Sequence, residues 1–251
     1  MRGLIIDIEF KPPDKSRYSE LKEGIISAAE LIKGLDPSDE IVLDYVHFSS
    51  FEDHEPHLPN YDFAVLSPQG CPWNSYQGTA IKKLSFLAAS VRENIQLNRV
   101  PVLGICGGHQ FLAMAFGGEV GFIDNRFRSA MGSSYSKDCK AERGETILRT
   151  TMEDLIFRGV AHHPGKFCVI ENHVEEVKVI PPAFVNLAFS ELSRFQLIRI
   201  PGKVVYGTAF HPERGWNHAE SSEQSPAPAG KMILANFLEM ACAMRADTRL
   251  N

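Results

Sequence analysis

Cys106 stands in the segment Pro101-Val-Leu-Gly-Ile-Cys-Gly-Gly-His-Gln110. The apolar run Val100 to Ile105 reads as a buried strand, and a helical-looking stretch from Phe111 to Phe116 follows the glycines. A cysteine at such a strand-to-helix turn has the layout of a nucleophile elbow. The side chain is presented at the carboxyl edge of the sheet, where α/β folds bind ligands. A helix N-terminus favours the thiolate, which is the nucleophilic form. Gly104, Gly107 and Gly108 tolerate a strained backbone and let a substrate come close. The Gly107 N–H is then available to an oxyanion. The bland alternative is a small buried cysteine with glycines that only pack helix on strand.

A cysteine nucleophile needs a base, and the base needs a group to orient it. Among nine histidines, His211 follows the apolar run Val204 to Phe210 at an expected strand end, and His211-Pro-Glu213 places an acid two positions on. Side chains two apart on an extended segment share a side, so Glu213 can reach one ring nitrogen of His211. Pro212 stiffens the backbone between them.

These residues require a parallel sheet to hold them. Gly3 to Ile8, Ile41 to Val46, Phe63 to Leu66 and Val100 to Ile105 read as strands. Leu21, Ile25, Ala28 and Ile32 recur at helical spacing, as do Leu84, Leu87, Ala88, Val91 and Ile95. Strands alternating with helices predict an α/β fold, a central, mostly parallel sheet with helices on its faces. In the second half, strands are expected near Thr146 to Arg149, Phe167 to Ile170, Val185 to Phe189, Gln196 to Ile200 and Val204 to Phe210. A last helix is expected from about Lys231 to Met244, after an exposed polar loop at about 217–229. No internal repeat is present, and residues 1–251 read as one domain.

The bulk properties agree. Apolar residues make up 44% of 251, enough for a sizeable core. The net charge of −5 is spread along the chain without a basic stripe, which argues against nucleic acid as a partner. No apolar run approaches the roughly 18 residues that span a bilayer. The N-terminus lacks a signal-peptide layout, so the cytoplasm is the default location. The other cysteines, Cys71, Cys139, Cys168 and Cys242, are widely spaced, and no pair has the C-x-x-C spacing of a zinc or redox site. His162-His163 has no ligand partners at metal spacing and reads as a loop pair. No metal and no organic cofactor is expected.

Gly-Ile-Cys106-Gly-Gly-His-Gln110 resembles the nucleophile motif of class I glutamine amidotransferases, and Phe210-His-Pro-Glu213 resembles that family's His/Glu motif. Phe116-Gly-Gly-Glu-Val120 is similar to the turn after the nucleophile helix. Glu171-Asn-His-Val-Glu-Glu-Val177, with Pro181-Pro-Ala-Phe184, is similar to the segment beside the glutamine site. Gly230-Lys-Met-Ile-Leu-Ala-Asn-Phe237 resembles the closing helix. The likeness covers nearly the whole chain. It implies a flavodoxin-like single α/β domain that hydrolyses the glutamine side-chain amide through a γ-glutamyl thioester. Cys106 would be the nucleophile, His211 the base and Glu213 its orienter. Gln110 and His173 would be substrate-binding residues.

One segment departs from the family. A Gly-Gly-Pro loop is common after the third strand, where it supplies the second oxyanion N–H; here Ser67-Pro-Gln-Gly-Cys-Pro-Trp73 replaces it. Pro68 has no N–H, so Gly70 is the expected donor, with Gln69 second. Cys71 reads as packing. Trp73 and Trp216 would stand near the mouth of the site. The resemblance leaves three readings: a glutaminase feeding ammonia to a separate synthetase or ligase, a stand-alone hydrolase of γ-glutamyl compounds, and a silent binding module. The chain ends soon after its last core helix, which favours a separate partner chain over a fused synthetase, and the intact Cys106, His211, Glu213 set speaks against the third.

Overall fold

The computed structural model describes residues 1–11, 15–32, 40–54, 58–124, 135, 138–160, 165–214 and 226–249. His162, His163, Trp216 and the 217–225 part of the expected polar loop lie outside these residues.

The chain begins β1 (Arg2–Asp7), α1 (Lys15–Ala29), β2 (Val42–His47), a four-residue α2 (Phe51–His54), β3 (Phe63–Leu66), α3 (Thr79–Gln96), β4 (Val102–Ile105) and α4 (Gly107–Ala115). It continues through β5 (Glu119–Phe122), β6 (Glu142–Thr150), β7 (Lys166–His173), β8 (Glu175–Val179), β9 (Val185–Phe189), β10 (Leu197–Arg199) and β11 (Val205–Thr208) to α5 (Pro226–Arg249). Nine strands form one sheet in the order β2-β1-β3-β4-β11-β10-β9-β6-β7. The first five run parallel, and from β11 onward every pair is antiparallel. The expected parallel sheet is therefore the half that carries Cys106, and the less regular second half of the sequence extends it. β5 and β8 make a separate antiparallel pair.

Period-two alternation splits the core into two layers. Ile5, Phe63, Val65, Leu103 and Ile105 pack with Leu21 and Ile25 of α1 and with Leu234, Phe237 and Leu238 of α5. Leu4, Ile6, Ala64, Leu66 and Val102 pack with Leu84, Leu87 and Val91 of α3 and with Phe111 and Leu112 of α4. Helical spacing of apolar residues thus identifies the buried faces of α1, α3 and α5 correctly.

Three boundaries differ from the sequence reading. α4 begins at Gly107, directly after Cys106, and not at Phe111; the glycines carry no apolar pattern that would mark its first turn. α5 begins at Pro226, so residues 226–229 belong to the helix and not to the loop; proline is tolerated in a first turn, where its missing N–H costs nothing. β5 and β8 read in the sequence only as a turn and a site segment, being too short to show alternation. No helix among the described residues is long and apolar enough to cross a membrane, and none of the five cysteines is in a disulfide.

Candidate active site

Cys106 caps α4 with φ 50° and ψ −100°, a left-handed φ that a non-glycine residue rarely adopts. Its N–H donates to the Thr208 carbonyl of β11 at 2.7 Å, and its carbonyl accepts from the Gln110 N–H at 3.1 Å. The strain is thus held between the end of a neighbouring strand and the first helical turn. Gly107 can only be glycine here. A Cβ on it would meet Gln69 Cγ at 2.5 Å and the Gln69 backbone nitrogen at 2.9 Å. As the first residue of α4, Gly107 has no helical acceptor for its own N–H.

His211 and Glu213 come together as the spacing predicts. Nδ1 of His211 lies 2.7 Å from Glu213 Oε1, with both side chains buried. The His211 N–H donates to the Ile170 carbonyl of β7 at 2.9 Å, which ties the residue across the sheet. Gly24 of α1 packs on the Glu213 backbone so closely that a Cβ there would meet Glu213 Cα at 2.9 Å. Nε2 of His211 has no nitrogen or oxygen partner in normal hydrogen-bond geometry. Burial works against a charged ring, but the Glu213 carboxylate and the charge and hydrogen bonding of Cys106 outweigh it and push the pKa up to about 10. A proton on this ring is therefore stabilised by the acid and the cysteine together.

The two expected substrate-side residues meet at one carbonyl. Gln110 Nε2 donates to the Glu175 carbonyl at 2.6 Å, and His173 Nδ1 lies 3.0 Å from the same oxygen. Gln110 Oε1 accepts from the Trp73 indole N–H at 2.6 Å, so Trp73 does stand at the site. The Glu175 carboxylate accepts from the Trp73 N–H at 3.3 Å and from the Tyr135 hydroxyl at 2.9 Å. On its other edge His173 faces two buried acids. Nε2 lies 3.1 Å from Glu142 Oε2 and 3.2 Å from Glu171 Oε2. Both ring nitrogens face acceptors only, so both carry protons and the ring is an imidazolium. Burial disfavours that charge, but Glu171 and Glu142 outweigh it and hold the pKa well above the usual histidine range. The three donor atoms lie within 4.8 Å of one another, a grouping of the kind that holds a cation, and the imidazolium supplies one. Ser190 Oγ and Gln196 Nε2 donate to the Glu142 carboxylate at 2.5 and 2.6 Å.

The loop after β3 departs from expectation. The Gly70 N–H donates to Glu9 Oε2 at 2.6 Å, so this amide is already engaged by a carboxylate. The loop nitrogen that lies against Gly107 is that of Gln69. Cys71 is buried, as a packing residue would be. Sequence reasoning misses Glu9, Glu142, Glu171 and Glu175. One signal is there for Glu171: with His173 it continues the inward row of Phe167 and Val169 along β7.

A family model described as glutamine amidotransferase class-I matches residues 45–239. The glutamine-hydrolyzing subunit of a GMP synthase from Methanococcus maripaludis is 37% identical over 146 residues, 58% of this chain and 62% of that protein. The same-named protein of Pyrococcus abyssi is 35% identical over 182 residues, 72% of this chain and 80% of the relative. The match thus spans less than two thirds of the Methanococcus relative's length. A glutamine amidotransferase structure from Thermotoga maritima superposes with a TM-score of 0.65 at 19% identity, covering 96% of this chain and 97% of that one. The CTPS glutaminase domain of Trypanosoma brucei, solved with bound acivicin, superposes with a TM-score of 0.62 at 15% identity, covering 95% and 94%. Extent of match, sheet order and the placement of Cys106, His211 and Glu213 agree: this chain belongs to the class-I glutamine amidotransferase family.

Proposed function

We propose that this chain hydrolyses the side-chain amide of glutamine in the cytoplasm and supplies the ammonia to a separate synthetase or ligase chain. The observation that carries this reading is the buried His211–Glu213 pair beside a cysteine strained into a nucleophile elbow. In the proposed reaction the Cys106 sulfur attacks the amide carbon. The oxygen, now an oxyanion, accepts from the N–H of Gly107 and, in place of Gly70, from that of Gln69. His211 gives its Nε2 proton to the amide nitrogen, the C–N bond breaks and ammonia leaves a γ-glutamyl thioester. The neutral ring then takes a proton from water as that water attacks the thioester, and glutamate departs with the sulfur returned to Cys106. Glu213 fixes the tautomer throughout. Gln110 acts through Trp73 and Glu175, the two groups it fastens, and His173 holds the Glu175 carbonyl against the Glu142 and Glu171 acids.

The relatives named as the glutamine-hydrolyzing part of a synthase support a partner chain. Ammonia release from glutamine, measured with the purified chain alone and with a candidate synthetase added, tests the reading. The expected result is slow turnover alone and faster turnover with the partner. Efficient turnover of another γ-glutamyl compound by the chain alone would replace the partnered glutaminase with a stand-alone γ-glutamyl hydrolase.

A further inference from the structure

The loop that faces the elbow is held by side chains from the end of β1. Ser67 Oγ accepts from the Ile8 N–H and donates to Asp7 Oδ1, both at 3.0 Å. The Tyr76 hydroxyl donates to the Ile8 carbonyl at 2.5 Å and lies 2.7 Å from Gln69 Oε1. Glu9 reaches furthest, with Oε2 on the Gly70 N–H at 2.6 Å. Glu9 is itself fixed: its N–H donates to Asp7 Oδ1 at 2.9 Å, its carbonyl lies 2.7 Å from His47 Nε2, and it is 5% exposed. A buried carboxylate on a backbone amide is a charge-assisted bond, stronger than a neutral one.

The place of this bond matters. The sheet grows from β1 to β2 in one direction, then from β1 to β3 in the other, so the crevice at the carboxyl ends of β1 and β3 is a topological switch point, where α/β sheets bind ligands. The Glu9–Gly70 bond crosses that crevice. A peptide unit is planar, so fixing the Gly70 N–H fixes the plane of the Gln69–Gly70 peptide and with it the backbone of Gln69. That backbone is the part of the loop that lies against Gly107.

We infer that Glu9 is a positioning residue of the oxyanion hole: its carboxylate holds the Gly70 N–H and thereby sets the Gln69 N–H beside that of Gly107. The inference rests on the reading of Cys106 as an acyl-forming nucleophile.

The test compares Glu9→Ala with Glu9→Gln, whose side-chain oxygen still accepts from Gly70, under whichever condition the wild type turns over glutamine. Losing one oxyanion donor costs ~100–1000-fold in turnover and misplacing one costs less, so Glu9→Ala is expected to lower kcat ~10–100-fold with KM little changed. Glu9→Gln recovers most of that loss. Alkylation of Cys106 by iodoacetamide, a displacement that forms no oxyanion, keeps its wild-type rate in both variants. Glu9→Ala with wild-type kcat, kcat and alkylation falling together, or Glu9→Gln as poor as Glu9→Ala would each overturn the assignment. A crystal structure of a Cys106 covalent-analogue adduct gives a second readout. The Gln69 nitrogen should lie ~2.7–3.1 Å from the oxyanion position, with Gly70 still on Glu9; Gly70 on the oxygen overturns the inference. A wild type that releases no ammonia under any condition counts against the glutaminase reading alone, and the adduct structure still decides the part of Glu9.

Discussion

The elbow and the loop that faces it are held in different ways. Around Cys106 the hold is backbone: its N–H on the Thr208 carbonyl, the His211 N–H on the Ile170 carbonyl, and a helix that starts at once. Around Gln69 and Gly70 the hold is side chain: Asp7, Glu9, Ser67 and Tyr76. Backbone ladders are cooperative parts of the sheet and resist local change, whereas a loop fastened by a few buried polar groups moves when one is lost. The elbow is therefore the rigid member of the pair and the loop the adjustable one, the side on which docking of a partner chain would act most easily.

The largest effects should come from the rigid side. Cys106→Ala is expected to abolish turnover, a loss on the order of 10⁵-fold or more, by removing the nucleophile of a unit that acts together. A glutamine-like diazo-ketone should label the wild type at Cys106 and not at the other four cysteines, as peptide mapping would show. Labelling that persists unchanged in Cys106→Ala would remove the elbow from the reaction. His211→Ala comes next. Glu213→Gln should cost roughly tenfold less than His211→Ala, since losing an orienter leaves the base in place. Turnover at saturating glutamine ranks the two, and a Glu213→Gln variant worse than His211→Ala would reverse their roles.

The same contrast explains what is legible in the sequence. β3 can be read to the residue, and Cys106, His211 and Glu213 can be found because each lies within a few residues of what positions it. The loop resists such reading because its fastening is remote. Glu9 and Gly70 are 61 residues apart, and nothing near Gly70 shows that its N–H is taken. The imidazolium at His173 is hidden for a related reason. Glu142 stands directly opposite His173 in the β6–β7 register, which depends on strand pairing and not on spacing along one segment. Resemblance marks His173 as a site residue, but only the pairing shows the charge it carries.

Gly107→Ala probes the seam between the two regions. The added Cβ would meet Gln69 at 2.5 Å on Cγ and 2.9 Å on the backbone nitrogen, so the loop or the elbow must shift. If the loop is the softer side, it retreats. Turnover then falls by about 100-fold, near the cost of one oxyanion donor, while iodoacetamide still alkylates Cys106 at close to its normal rate. Loss of alkylation together with turnover would mean that the elbow moved instead, and the comparison would be reversed.

The smallest expected effect separates the regions by pH. His109 lies on α4 three residues past Cys106, wholly buried, with Gly207 so near that a Cβ there would meet its Nδ1 at 2.8 Å. Burial pushes its pKa down from 6.5 to about 3. Unfolding releases a ring that protonates at its ordinary value, so below about pH 6.5 the unfolded chain binds a proton that the folded chain refuses. The stability from keeping this ring neutral is present above pH 6.5 and is lost as pH falls toward 3, at up to about 1.4 kcal/mol per pH unit. His211 works in the opposite window: its folded pKa is raised to about 10, so its contribution is present below pH 6.5 and is lost as pH rises through 10. Denaturant unfolding at a series of pH values should show His109→Gln with a shallower loss of stability from pH 6.5 toward 3 than the wild type, and Glu213→Gln with a shallower loss from pH 6.5 toward 10. The Glu9→Gln variant should follow the wild type in the alkaline window, because it leaves His211 and its partners intact. A Glu9→Gln curve flattened there as Glu213→Gln is would show that loop and elbow unfold as one coupled unit, and the distinction between a rigid and an adjustable side would not hold.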